Sequence, residues 1–298
     1  MAEPLFDRTL AFTYGAVAEL GPKLRRVIAR NGGPFTFHGT GTYIVGRGEV
    51  AIIDPGPLLE EHEAALLAAV AGETVSHLLI THTHRDHSPL AARLKETCNV
   101  KTYGLGPHGG AREQEQVEEG ADYDFKPDVV LKEGDTLSSP GWALEAIHTP
   151  GHTSNHLCFA WREAGALFSG DHVMGWSTTI ISPPDGDMRA YQASLTRLLA
   201  RSEHIYWPTH GGPVRDPKAH VRGLLDHRAK REAAIIAQLA AGGEHIMEMV
   251  PLIYAEVAPT LYRAAGRSVL AHLIALIADG RVACEGAPGM ASRFRLVG

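Results

Sequence analysis

His82-Thr83-His84-Arg85-Asp86-His87 places three imidazoles and one carboxylate in a single hexapeptide, directly after the apolar run His77-Leu78-Leu79-Ile80-Thr81. Strand-forming residues that feed a tight, ligand-rich loop are how an α/β protein builds a metal site at a strand end. In extended backbone, residues two apart share a side. His82 and His84 are therefore expected to converge on one ion. Asp86 and His87, after the chain has turned, are expected to face a second. The plainer alternative is a polar surface loop that happens to be His-rich. The chain holds 17 His in 298 residues, too sparse a supply for chance to produce this order and spacing readily.

The pattern His-x-His-x-Asp-His resembles the signature of the metallo-β-lactamase-fold hydrolases. The resemblance makes a demand: a later His, then an Asp, then a final His, each at a strand end. His152 lies in Thr149-Pro150-Gly151-His152-Thr153, after Trp142-Ala143-Leu144-Glu145-Ala146-Ile147. Asp171 lies in Ser169-Gly170-Asp171-His172, after Ala166-Leu167-Phe168. His210 lies in Pro208-Thr209-His210-Gly211, after Ile205-Tyr206-Trp207. Each is a strand-like segment closed by a Gly- or Pro-bearing turn. Four matches in order are far more specific than one short motif.

By that resemblance His82, His84 and His152 hold one metal, Asp86, His87 and His210 hold a second, and Asp171 bridges them. Asp86 and Asp171 then count as catalytic as well as ligating. Imidazole and carboxylate without thiolate suit zinc, with iron or manganese as alternatives, so two Zn2+ are the expected cofactors. Two ions roughly 3.5–4 Å apart share a water, lower its pKa toward about 7 and neutralise charge in the transition state. The bridging hydroxide is the implied nucleophile, and no Ser or Cys nucleophile is required. Asp54 ends Val50-Ala51-Ile52-Ile53-Asp54-Pro55-Gly56. The family places a carboxylate here to orient the second ring N–H of its metal-binding His residues, although Asp also favours turns for its own sake. Asn155, His156 and His172 are candidates for lining the pocket.

Composition bounds the setting. With 44% hydrophobic residues, the chain can bury a full core and more than one folding unit. No run is read as approaching the roughly 20 apolar residues of a membrane helix, so no membrane association is expected. Met1-Ala2-Glu3-Pro4-Leu5-Phe6-Asp7-Arg8 lacks the basic start and apolar core of a secretory signal, and a cytoplasmic protein is expected. Cys98, Cys158 and Cys284 are few, odd in number and far apart, which points away from a disulfide framework or a Cys zinc site.

Along the chain, Tyr43-Ile44-Val45 and Glu49-Val50-Ala51-Ile52-Ile53 flank Gly46-Arg47-Gly48, a hairpin signal. Residues 60–70 carry apolar side chains at helical spacing. Residues 104–128, with the acidic run at 112–119, read as a solvated stretch or a lid. Composition changes near Pro217: residues 217–298 carry a net +3, against −9 for residues 1–216. Residues 220–241 read as a long helix with a basic cluster at Arg228-Ala229-Lys230-Arg231, stopped by Gly242-Gly243. Helices around 247–257 and 261–278 and strands at 281–284 and 292–296 follow, the order of a winged helix. The expected fold is α/β, an αββα metallo-β-lactamase sandwich followed by a small winged-helix domain. The expected division is a catalytic domain at 1–216, then a linker helix and winged helix at 217–298.

His227-Arg228-x-x-Arg231-Glu232, Ile246-Met247-Glu248-Met249-Val250-x-x-Ile253-Tyr254 and His272-Leu273 resemble the C-terminal half of the β-lactamase-like protein 2 group. Residues 170–179 resemble its bridging-Asp segment. Thr209 departs from the Gly often found before the last ligand, with little effect expected. Characterised members of that group cleave single-stranded RNA, so the resemblance implies phosphodiester hydrolysis, with Arg263 and Arg267 in the candidate recognition helix. A net +3 is a small electrostatic footprint for nucleic acid. The same ligand set serves thioester hydrolysis of the glyoxalase II type on a small molecule, although that family adds a helical domain with basic residues for glutathione. β-Lactam hydrolysis is disfavoured, because lactamases usually carry Cys or Ser in place of Asp171. A mononuclear iron persulfide dioxygenase also retains the hexapeptide. A non-catalytic binding protein with a vestigial site is the alternative of a different class, and the complete ligand set argues against it. A C-terminal winged helix often pairs, which makes a homodimer an expected assembly.

Overall fold

The computed structural model describes residues 3–109 and 120–298. The acidic run at 112–119, read as a lid, lies outside them. Strands β1 (Val17–Gly21), β2 (Leu24–Ile28), β3 (Gly41–Arg47) and β4 (Glu49–Ile53) form an antiparallel meander. Helix α1 (Glu60–Ala69) crosses to β5 (Thr74–Leu79), and α2 (Ala91–Cys98) to β6 (Thr102–Gly104). With β7 (Val129–Val130) they complete a seven-stranded sheet in sequential order, parallel from β4 onward. A second sheet carries β8 (Thr136–Ser139), β9 (Trp142–His148), β10 (Leu157–Trp161) and β11 (Ala166–Gly170) antiparallel. Helix α3 (Met188–Leu199) then returns the chain to β12 (Ile205–Pro208), parallel to β11. Helices α1, α2 and α3 sit at the β4–β5, β5–β6 and β11–β12 steps, because parallel neighbours need a long crossover.

Period-2 alternation sorts the side chains into layers. Tyr43, Val45, Ala51 and Ile53 enter the core between the two sheets, while Ile44, Val50 and Ile52 pack toward Leu66 of α1 and Leu94 of α2. In β10, Leu157, Phe159 and Trp161 face the first sheet, and Cys158 and Ala160 face Tyr191 and Leu195 of α3. Each fully buried large apolar side chain contributes about 1.5–3 kcal/mol. Both faces of both sheets are covered, which is the expected αββα sandwich. The hairpin at 46–48 uses its glycines: both have positive φ, and a Cβ on Gly46 would meet the Trp142 ring at 2.5 Å.

Helix α4 (Pro217–Ala240) starts at Asp216, whose carboxylate accepts from Ala219 N at 3.1 Å, with proline tolerated in the first turn. At about 1.5 Å per residue it is roughly 36 Å long and serves two cores. Val221 and Leu224 pack beside α3 on the second sheet. Ile235 and Leu239 pack with α5 (Ile246–Ile253), α6 (Tyr262–Ala278) and the hairpin of β13 (Val282–Cys284) and β14 (Phe294–Leu296). These elements are the winged helix. The stretch Pro259–Ala278, where the sequence reading expects no membrane-spanning run, is long and apolar enough by length and composition alone to cross a membrane. Its Val269, Leu273 and Leu276 form the C-terminal core instead.

Candidate metal centre

Beyond β5, Thr81 donates through both N and Oγ1 to the Asp54 carboxylate, at 2.8 Å each. This ties the hexapeptide to the end of β4. His82 Nε2 then lies 3.1 Å from His84 Nδ1, and His152 Nε2 lies 3.2 Å from the same atom. His152 follows Gly151, where a Cβ would come within 2.3 Å of the Tyr191 backbone. Three ring nitrogens aimed at one point exceed what one shared proton can satisfy, and they form a ligand face.

The next turn carries the chain to a second face. His87 N and Ser88 N bond back to His84 O at 3.0 and 3.3 Å. Asp86 Oδ2 lies 3.0 Å from His210 Nε2 and 3.2 Å from His87 Nε2. His210 arrives after β12, on a segment held by Gly41 N to Thr209 O (2.8 Å) and Tyr43 OH to Pro208 O (2.7 Å). Asp171, just past β11, puts Oδ2 at 3.3 Å from His210 Nε2, 3.5 Å from His87 Nε2 and 4.0 Å from His152 Nε2. Three groups, His82–His84–His152, His82–His87–Asp171 and Asp86–His87–His210, each gather ligand atoms within 4.8 Å of one another. All seven side chains singled out in the sequence are thus brought together.

The two faces differ in charge. Burial, reinforced for His82 and His84 by neighbouring imidazoles, holds those two and His152 below the ordinary imidazole range. Burial also opposes charge on His87 and His210, but Asp86 and Asp171 overcome it. His87 is raised well above the ordinary value, and His210 to about 10. Burial likewise opposes charge on Asp86 and Asp171, yet His87 and His210 hold both carboxyls below the usual range.

Four of the candidate ligand rings are oriented through their other nitrogen, the arrangement that fixes tautomers in metal sites. Thr81 Oγ1 donates to Asp54 and therefore accepts from His82 Nδ1 at 3.1 Å. His87 Nδ1 donates to Asp54 Oδ2 (2.9 Å), His152 Nδ1 to Ile180 O (2.8 Å) and His210 Nδ1 to Gly39 O (3.2 Å). Thr209 Oγ1 adds a bond to Asp54 Oδ2 at 2.9 Å, so the departure at position 209 has a use that the sequence did not disclose. Asn155, His156 and His172 do not line the pocket. His156 Nε2 accepts from Asp171 N at 3.2 Å and its Nδ1 meets Thr149 Oγ1 at 2.9 Å. Asn155 Nδ2 braces Thr83 Oγ1 at 2.9 Å. His172 is fully buried with neither ring nitrogen hydrogen-bonded.

The pocket above the ligands is walled by Phe35, Met174, Trp176 and Ile180, with Ser177 and Thr178 as hydroxyls, and no Lys or Arg lines it among the described residues. Phe37 stacks on Trp176 at 4.7 Å and 11°. This aromatic wall joins residues far apart in sequence and had no local signal. The basic cluster at 228–231 is engaged within the chain. Arg228 is buried on Thr179 O, Lys230 pairs with Glu3, and Arg231 bonds Ile253 O and Glu256. Arg267 donates to Pro183 O at 3.2 Å, and α6, the candidate recognition helix, is mostly buried.

The donor set fits divalent metal. His87 Nε2 and Asp171 Oδ1 are buried without a hydrogen-bond partner, and imidazole nitrogens and carboxylate oxygens converge without thiolate. A two-sheet sandwich thus carries a candidate metal centre at one edge. Residues 36–210 match the Metallo-beta-lactamase superfamily, and residues 246–290 match the Beta-lactamase associated winged helix domain. The chain belongs to the metallo-beta-lactamase superfamily. It is 32% identical over 227 residues to an atrochrysone carboxyl ACP thioesterase of Aspergillus terreus, an alignment covering 75% of this chain and 65% of that protein. The chain thus spans slightly less than two thirds of that relative's length. It is 26% identical over 299 residues to the lactamase-like protein aptB of Emericella nidulans, covering 95% of this chain and 89% of that protein. A metallo-beta-lactamase family protein from Thermus thermophilus shares the fold with a TM-score of 0.77 at 23% identity, over 94% of this chain and 100% of that one.

Proposed function

We propose that this chain is a hydrolase that cleaves a small or carrier-borne acyl thioester, using two zinc ions held by His82, His84 and His152 on one side, by Asp86, His87 and His210 on the other, and by Asp171 between them. The observation that carries this reading is the convergence of all seven side chains into groups that share His82 and His87. Bound there, the ions supply Lewis acidity at the thioester carbonyl and a water acidified toward a pKa of about 7. The protein's own part is orientation. Asp54, Ile180 and Gly39 fix the rings of His87, His152 and His210 with Nε2 directed inward. Phe35, Met174 and Trp176 give the acyl group an apolar wall. Hydrolysis adds water across the C–S bond and releases a carboxylate and a thiol.

Relatives named as acyl-carrier thioesterases support the thioester over RNA. The absence of Lys and Arg from the pocket lining among the described residues supports it too, because a phosphodiester backbone or the carboxylates of glutathione call for cations. The test is zinc-loaded protein on an acyl-pantetheine thioester, a glutathione thioester and labelled single-stranded RNA, with His84→Ala as control. Turnover of the acyl-pantetheine thioester that disappears in the variant is expected. RNA cleavage lost in the variant, without thioester turnover, would overturn the proposal.

A further inference from the structure

We propose that Arg228 is a positioning residue through which the C-terminal half of the chain holds the metal centre in register. The proposal rests on the metal-holding reading of the seven residues and on no particular substrate. The segment at 171–184 leaves β11 at Asp171, and its Met174, Trp176 and Ile180 wall the pocket. Its Thr179 is turned inward and only 1% exposed. The Thr179 hydroxyl donates to Asp171 O at 2.7 Å, with His172 O at 3.2 Å. The next carbonyl, that of Ile180, takes the Nδ1–H of His152 at 2.8 Å. One dipeptide therefore backs the His152 ring of the first face and the backbone of Asp171, whose carboxylate lies between the faces.

The C-terminal helices grip this segment at three points. His220 Nε2, from α4, donates to Met174 O at 2.9 Å. Arg228, two turns further along α4, donates to Thr179 O. Arg267, from α6, donates to Pro183 O at 3.2 Å. Arg228 is the grip that reaches the ligand-backing dipeptide. It is 2% exposed, its guanidinium lies 5.3 Å from the Tyr191 ring centroid, and Tyr191 in turn meets the His172 ring at 4.8 Å. No carboxylate pairs with it among the described residues, and its Nε has no partner. Burying a cation without a counter-charge is costly, so a purely structural contact here is better served by an apolar side chain. A guanidinium both reaches a carbonyl and lies flat on an aromatic ring, which neither an apolar chain nor an ammonium does.

The experiment compares full-length wild type, Arg228→Met and Arg228→Lys. Zinc affinity is read by chelator competition, the ligand field by the electronic spectrum of the cobalt-substituted protein, and folding by circular dichroism. Arg228→Met is expected to stay folded, bind zinc roughly 10–100-fold more weakly and shift the cobalt bands. Arg228→Lys is expected to recover part of the affinity. If Arg228→Met fails to fold, Arg228→Lys carries the same two readings against wild type. A folded variant with wild-type zinc affinity and an unchanged cobalt spectrum overturns the proposal, even if its thermal midpoint falls. Wild type that takes up no zinc would instead remove the metal reading itself.

Discussion

His87 and His272 are both almost fully buried, and they are opposites. His87 donates from Nδ1 to Asp54 and turns Nε2 toward Asp86 and Asp171. His272, on α6, has neither ring nitrogen hydrogen-bonded. Burial first, then the charges of Arg228, His227 and Arg231, push it down to about 3. His172 follows the same rule as His272, down to about 3, although it adjoins Asp171 in the chain. Burial alone makes a neutral, inert imidazole. A carboxylate behind and another in front make one that holds a cation, and adjacency in sequence to a ligand does not.

The sharpest break in that contrast is Asp171→Ala, which removes the carboxylate facing both clusters. Thioester turnover should fall about a thousandfold or more, and zinc content measured by atomic absorption should drop at both positions. Full occupancy with retained turnover would contradict the bridging assignment. Asp54→Asn comes next. It replaces the acceptor of four donors with an amide, and about 10–100-fold in zinc affinity or turnover should be lost, as a chelator titration would report.

A smaller effect concerns protons. His87 and His210 favour charge, so zinc uptake at neutral pH should release about two protons per molecule. Affinity should therefore rise with pH. Calorimetric titration in buffers of different ionisation heat measures this, and uptake without proton release would mean that both rings are neutral beforehand. The smallest effect belongs to the other population. The folded pKa of His272 lies near 3 and its ordinary value is 6.5, so between those limits the unfolded chain binds the extra proton. Stability is lost as pH falls through that window. His272→Leu should remove this slope, a relative gain on the order of 1–2 kcal/mol at pH 5 over pH 8, readable from urea denaturation. Equal slopes in both proteins would show that His272 is protonated in place.

The legible parts of the site were those encoded locally. The hexapeptide packs four candidate ligands into one turn after a strand, so spacing alone exposes it. His152, Asp171 and His210 each close a strand, and the sandwich brings those strand ends to one edge. The sequence marks Arg228 only as part of a basic cluster, because charge is the louder signal there than position. Arg228 lies on the buried stripe of Val221, Leu224, Ile235 and Leu239 along α4, at helical spacing from its neighbours, and that signal was available. The stacking of Phe37 on Trp176 and the bond from Thr209 to Asp54 depend on two sheets docking, and no window of sequence contains them.

The anchoring of the last ligand to the first sheet has a consequence for synthesis. Thr209 reaches Asp54 across 155 residues, and Tyr43 secures Pro208 across 165. A nascent chain exposes His82 and His84 long before His210 leaves the ribosome, and contacts of such separation form late. On the proposed metal reading, a chain broken before residue 208 would lack the last candidate ligand, His210, so durable ion retention would report on completed folding.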